Sequence, residues 1–201
     1  SSNRGGGSCY DFNEIIKIKE VCAEHGLAFH LDGARLWNAL VAKKENAAQY
    51  GAAFDSISIC LSKSLGCPVG SLLLGTTPFI KQARRIRKAF GGGMRQAGSL
   101  AAAGIYALEH HIDRLEEDHL HAQQIAAAVS EKEFVHQVLP VETNIVIFEL
   151  KKGLSAPDLV ANLKKQGILF YAIAPDRVRV VAHLDITPAM VTKTIQTILN
   201  L

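Results

Sequence analysis

Ile57-Ser-Ile-Cys-Leu-Ser-Lys63-Ser-Leu-Gly66-Cys-Pro68-Val-Gly70-Ser71 reads as a strand that runs into a turn. Ile57, Ile59 and Leu61 alternate with Ser58, Cys60 and Ser62, the period-two pattern of a strand with one apolar face. Gly66, Pro68 and Gly70 then mark the turn. If the strand persists to its end, Lys63 falls on the face of the three aliphatic residues. Such a position is unusual for lysine, because desolvating an ammonium is costly. An isolated lysine at a strand end commonly snorkels to solvent. A lysine whose amine condenses with a carbonyl as a Schiff base carries no ammonium and acts as a nucleophile.

The totals narrow the choices. The 201 residues suffice for one large domain or two small ones with a real core. Hydrophobic residues make up 48% and charged residues 20%, ordinary for a globular protein, and a formal net charge of +3 does not by itself imply a nucleic-acid or membrane partner. Cys9, Cys22, Cys60 and Cys67 form no close C-x-x-C pair and read as reduced thiols, which places the expectation in the cytoplasm. No apolar run reaches transmembrane length and no signal peptide opens the chain.

Helix and strand signals alternate along the first part. Asp11 with Glu14 predicts a capped helix ending at Gly26, and Leu27 to Leu31 predicts a short strand closing at Asp32-Gly33-Ala34-Arg35. Residues 36 to 50 return to helical spacing; Val69 to Leu74 predicts a further strand, and Thr77-Pro78 a helix start. This order predicts α/β layering around a mostly parallel sheet, where functional residues gather at strand carboxyl ends. Asp32 and Lys63 both fall at such ends. Lys81, Arg84, Arg85 and Lys88 follow on one face of a helix, which reads as a solvated face or an anion-facing one. Gly91-Gly-Gly then breaks that helix beside Arg95. Past an Ala- and Leu-rich helical stretch the composition shifts near residue 130, giving a domain of residues 1–130 and a small α+β domain of residues 131–201. In the latter, strands are predicted at 134–139, 144–150, 168–173 and 178–184, with helices at 156–166 and 188–201.

Two chemistries compete for these residues. His30-Leu-Asp32 and His183-Leu-Asp185 are compatible with metal ligation, but no third ligand type follows at a telling spacing and Lys63 is left unexplained. An acid at one strand end, a lysine at the next and arginines elsewhere fit pyridoxal phosphate better: an amine for its aldehyde, an acid for its pyridine nitrogen, cations for anions. His30-Leu-Asp-Gly-Ala-Arg35-Leu-Trp-Asn38-Ala, the Leu61–Ser71 stretch and Gly91-Gly-Gly-Met-Arg-Gln-Ala-Gly98 closely resemble the threonine aldolases, of the aspartate-aminotransferase-like fold group. Thr143-Asn144 and Arg179-Val-Val-Ala-His183 extend the likeness over nearly the whole chain.

The resemblance implies that Lys63 carries the cofactor and Asp32 partners its ring nitrogen. It implies Arg35 and Arg179 as ligands of the substrate carboxylate, with Arg177 the alternative to Arg179. Lys88 and Arg95 match cofactor-binding positions, Arg95 serving the phosphate across a subunit interface. The implied substrate is threonine or allo-threonine, cleaved to glycine and an aldehyde by a homo-oligomer, dimer or tetramer, with no nucleic-acid or membrane partner. No residue stands out as the base; His183 is a weak candidate. The family carries a longer N-terminal portion, with a phosphate loop and a ring-stacking histidine, so the expectation is that this chain alone cleaves no threonine. The competing class is an inactive interaction module of the same fold.

Overall fold

The computed structural model describes residues 1–201 and divides into two compact units. The first comprises Ser1 and Tyr10–Asp113, the second Ser2–Cys9 and Arg114–Leu201.

In the first unit, α1 (Phe12–Glu24) begins where the Asp11 carboxylate accepts the Asn13 N–H at 2.8 Å. Glu14 pairs with Lys17 instead of closing a capping box. Gly26, at φ +62°, ends the helix as expected. Strand β1 (His30–Gly33) lies later than its apolar run suggested and includes the polar His30 and Asp32. Residues 36–53 form two helices, α2 (Leu36–Lys43) and α3 (Ala47–Ala53), because Lys44 turns left-handed and Asn46 caps the second. Strands β2 (Ser56–Cys60) and β3 (Ser71–Gly75), then helices α4 (Thr77–Ala89) and α5 (Gly98–His110), complete the unit.

The sheet of this unit is mixed: β1 runs parallel to β2, and β3 antiparallel to it. Register sorts the side chains. Leu31, Ile57 and Ile59 share one face, where Ile57 and Ile59 join Ile15, Leu36, Leu40 and Tyr50 in a core. Asp32, Ser58 and Leu73 form one row of the other face, with Cys60 and Ser71 the next. Gly33 is required there, since a Cβ would meet the Ser58 carbonyl oxygen at 2.7 Å.

The second unit is built on the antiparallel order β4-β5-β7-β6. Its strands are β4 (Val135–Val138), β5 (Ile145–Leu150), β6 (Tyr171–Ala174) and β7 (Arg177–Val181). Helices α6 (Leu115–Ser130), α7 (Ala156–Lys165) and α8 (Pro188–Leu199) supply Ile125, Val129, Leu163, Val191 and Ile198 to the core around Val146 and Phe148. Thus α6, placed by the sequence in the first domain, packs in the second unit. The glycine run at Gly5 to Gly7 also has a place here. Gly6 lies over Ile147, and the Gly7 carbonyl accepts from Thr143 Oγ1 at 2.9 Å. At Gly7, φ is +82° and a Cβ would collide with Thr143.

Candidate active site

The lysine stretch departs from its expected path. Strand β2 ends at Cys60, and the chain bends before Lys63, so the lysine does not share the face of Ile57 and Ile59. Its side chain is exposed, and its Nζ donates to Cys60 Sγ at 3.1 Å. Cys60 lies on the Asp32–Ser58 side of the sheet. The amine of Lys63 and the carboxylate of Asp32 are therefore gathered on one polar face, reached from adjacent parallel strands. The bend puts the Lys63 side chain in solvent, so no burial cost applies to it.

Asp32 is held by its own turn. Its Oδ1 accepts the Ala34 N–H at 3.2 Å, which orients the carboxylate and leaves Oδ2 without a protein partner. On the same face, His30 Nδ1 is 2.8 Å from Ser56 Oγ. Arg35, half-buried, is the N-cap residue of α2, and its carbonyl oxygen accepts from the Ser1 nitrogen at 3.1 Å. Beside β3, Ser58, Ser71, Ile80, Ala83, Arg84 and Arg87 border a groove of about 410 Å³. The groove-lining side of α4 thus carries Ile80 and Ala83 together with Arg84 and Arg87, while Ile86 is exposed. Lys88 lies against Gly93, and Arg95 sits in the exposed loop that follows.

The remaining predicted arginine belongs to the second unit. Arg177 and Arg179 share a face of β7, but their partners differ. Arg177 is paired with Glu149 on the neighbouring strand, which neutralises it. Arg179 Nη1 donates to the Asn3 amide oxygen at 2.9 Å, and its buried Nε has no partner. Of the two, Arg179 has the uncompensated charge. His183 Nδ1 lies 3.5 Å from Asp185, so its nearest acid is its own turn neighbour.

Sequence patterns did not single out three further side-chain arrangements. Asn38, in α2, donates to Ser64 Oγ at 2.9 Å, and His111 Nδ1 donates to the Leu65 carbonyl at 2.7 Å. In α6, the fully buried Asp118 is held by Arg114 at 2.9 Å. Burial pushes the Asp118 carboxyl up, opposed by the Arg114 hydrogen bond and charge. Burial also pushes the neighbouring His119 down to about 4. A polar residue in an apolar helical run, as Asn38 is in Leu36-Trp-Asn-Ala-Leu, was the one available signal.

An exposed primary amine and an oriented carboxylate on one face of an α/β sheet can serve an aldehyde cofactor on a pyridine ring. Residues 1–152 match the beta-eliminating lyases, and the chain belongs to that family. Among curated relatives, low-specificity L-threonine aldolase 1 of Arabidopsis thaliana is 38% identical over 193 residues, covering 94% of this chain and 54% of its own length. The low specificity L-threonine aldolase of Escherichia coli K12 is 44% identical over 168 residues, covering 84% and 49%. The chain therefore spans about half the length of the curated relatives it matches. A threonine aldolase structure from Leishmania major matches with a TM-score of 0.79 at 19% identity, covering 96% of this chain and 57% of that one, a likeness of fold. The family implies pyridoxal phosphate, and the donor set fits it: Lys63 would offer an amine to the aldehyde and Asp32 a carboxylate oxygen to the ring nitrogen.

Proposed function

We propose that the protein to which this chain belongs cleaves threonine or allo-threonine to glycine and an aldehyde, using pyridoxal phosphate held by Lys63 and Asp32. The observation that carries this reading is the gathering of the Lys63 amine and the Asp32 carboxylate on one polar sheet face. The named activity of the relatives supplies the substrate class. Bound pyridoxal phosphate supplies the electron sink for charge left at the substrate Cα. Asp32 keeps a proton on the ring nitrogen, and its Ala34 hydrogen bond holds the carboxylate in place for that role. Arg35 and Arg179 are proposed ligands of the substrate carboxylate, since a guanidinium fork fixes both position and orientation. The free charge on Arg179 favours it over Arg177. Lys88 and Arg95 are proposed cofactor-binding cations, Arg95 in a neighbouring copy of a cytoplasmic homo-oligomer. The assignment of residues 1–130 to the cofactor-binding domain and 131–201 to the small domain belongs to the same proposal, with α6 packed in the second unit.

Glycine release from threonine with saturating pyridoxal phosphate tests this. Asp32→Asn should keep the cofactor's visible absorbance and slow turnover by roughly 10²-fold, the scale for removing one preorganised polar group from an active site. Turnover near wild type, with only cofactor affinity reduced, would rule out the proton-holding role of Asp32.

A further inference from the structure

We propose that Asn38 is a positioning residue for Lys63, acting through its hydrogen bond to Ser64. Between Cys60 and Ser71 there is neither helix nor strand, so regular structure does not hold the lysine in place. The loop is nonetheless pinned. Leu61, Ser64, Leu65 and Cys67 are buried while Lys63 between them is exposed. Inside the loop, the Gly66 N–H donates to the Lys63 carbonyl at 2.9 Å and the Cys67 N–H to the Leu61 carbonyl at 3.1 Å. Gly66 takes φ +71°, which closes this turn.

Side chains from outside fasten the turn to helices. His111, at the end of α5, donates from Nδ1 to the Leu65 carbonyl. Asn38 reaches Ser64, the residue next to Lys63, from α2. Asn38 is only 1% exposed, among the apolar residues of that helix. A buried amide is unfavourable unless hydrogen-bonded, and the bond to Ser64 contributes to meeting that need. The position of α2 gives the bond its consequence. That helix starts directly after Asp32-Gly33-Ala34-Arg35, so Asn38 ties the segment bearing Asp32 to the loop bearing Lys63. A slack loop would leave both functional groups present but their spacing undefined, and small misplacements are costly to reactivity.

This role rests on Lys63 being the cofactor lysine, but the pinning itself can be read without cofactor. Hydrogen exchange of peptides spanning residues 61–67 reports the loop. Asn38→Ala and Ser64→Ala should each speed exchange there about tenfold, the scale of one lost hydrogen bond, and the double variant should add little more. With pyridoxal phosphate and borohydride, the same variants should lower labelling of Lys63 about tenfold relative to the surface lysine Lys17. Ser64→Thr, which keeps the hydroxyl, should restore both. If Asn38→Ala does not fold, Ser64→Ala alone decides. Wild-type exchange and labelling in the folded Ser64→Ala variant would overturn the proposal, as would faster exchange with unchanged Lys63 labelling. Failure of the wild-type chain to label Lys63 at all would overturn the functional reading, and the exchange result would still decide whether the loop is pinned by Asn38.

Discussion

Strands β5 and β3 are both apolar runs, and the chain treats them differently. Ile145 to Phe148 are at most 1% exposed, whereas Leu72, Leu73 and Leu74 are 40–43% exposed. In the second unit, α6 and α8 contribute to the core around Val146 and Phe148, and Gly6 and Gly7 lie over Ile147 and Ile145. In the first, β3 is an edge strand, and α4 beside it has no buried residue. Apolar sequence therefore specifies a strand in both places, but it stabilises only where other elements take its surface from water. The second unit is closed by residues of this chain; the β3 edge of the first remains open. The proposed cofactor groups sit on the open unit.

Mutation separates the two regimes. Phe148→Ala should destabilise the second unit by about 3–5 kcal/mol, the usual cost of emptying an aromatic site in a packed core. Hydrogen exchange of β5 amides measures it, and a loss below about 1 kcal/mol would mean that this core is looser than its burial indicates.

Acid should act on the second unit next. An unfolded histidine takes a proton near 6.5, while the buried His119 stays neutral down to about 4. Stability present above pH 6.5 is thus lost as pH falls through that window, by about 3 kcal/mol in all, and then levels off for this group. Asp118 has the opposite sign: its raised pKa favours the fold at lower pH, so His119→Leu should leave a flatter profile across pH 6.5 to 4. An unchanged slope in that variant would assign the loss to another group.

The smallest effect belongs to the open strand. Leu73→Ala should cost no more than about 1 kcal/mol, because much of its side chain is already in water. A loss comparable to that of Phe148→Ala would show that β3 is covered in solution.

The same contrast explains what could be read from residues alone. Alternation located β2 and β7, since one-sided burial writes a period of two into the sequence, whereas β5 was legible as a continuous apolar run buried on both faces. It overran at Lys63 because Leu61 continues the apolar face while the backbone has already bent. It placed β1 early because the strand includes the polar His30 and Asp32, which face the site and not the core. The basic helix was legible as a helix, but which side met the sheet was not, since the spacing of Ile80, Ala83, Arg84 and Arg87 fits either polarity. Asn38–Ser64, His111–Leu65 and Arg114–Asp118 depend on particular three-dimensional contacts, and only Asn38 left a trace as a lone polar residue in an apolar run. The glycines at 5 to 7 carry no periodicity of their own; their role appears only once Thr143 and Ile147 lie against them.

Lys63 is the amine proposed to take the cofactor. Incubation with pyridoxal phosphate, reduction with borohydride and peptide mapping by mass spectrometry test it most directly. We expect a reduced pyridoxyl group concentrated on Lys63 and lost in Lys63→Ala. Label spread evenly over the exposed lysines, or retained at full level in Lys63→Ala, would contradict it.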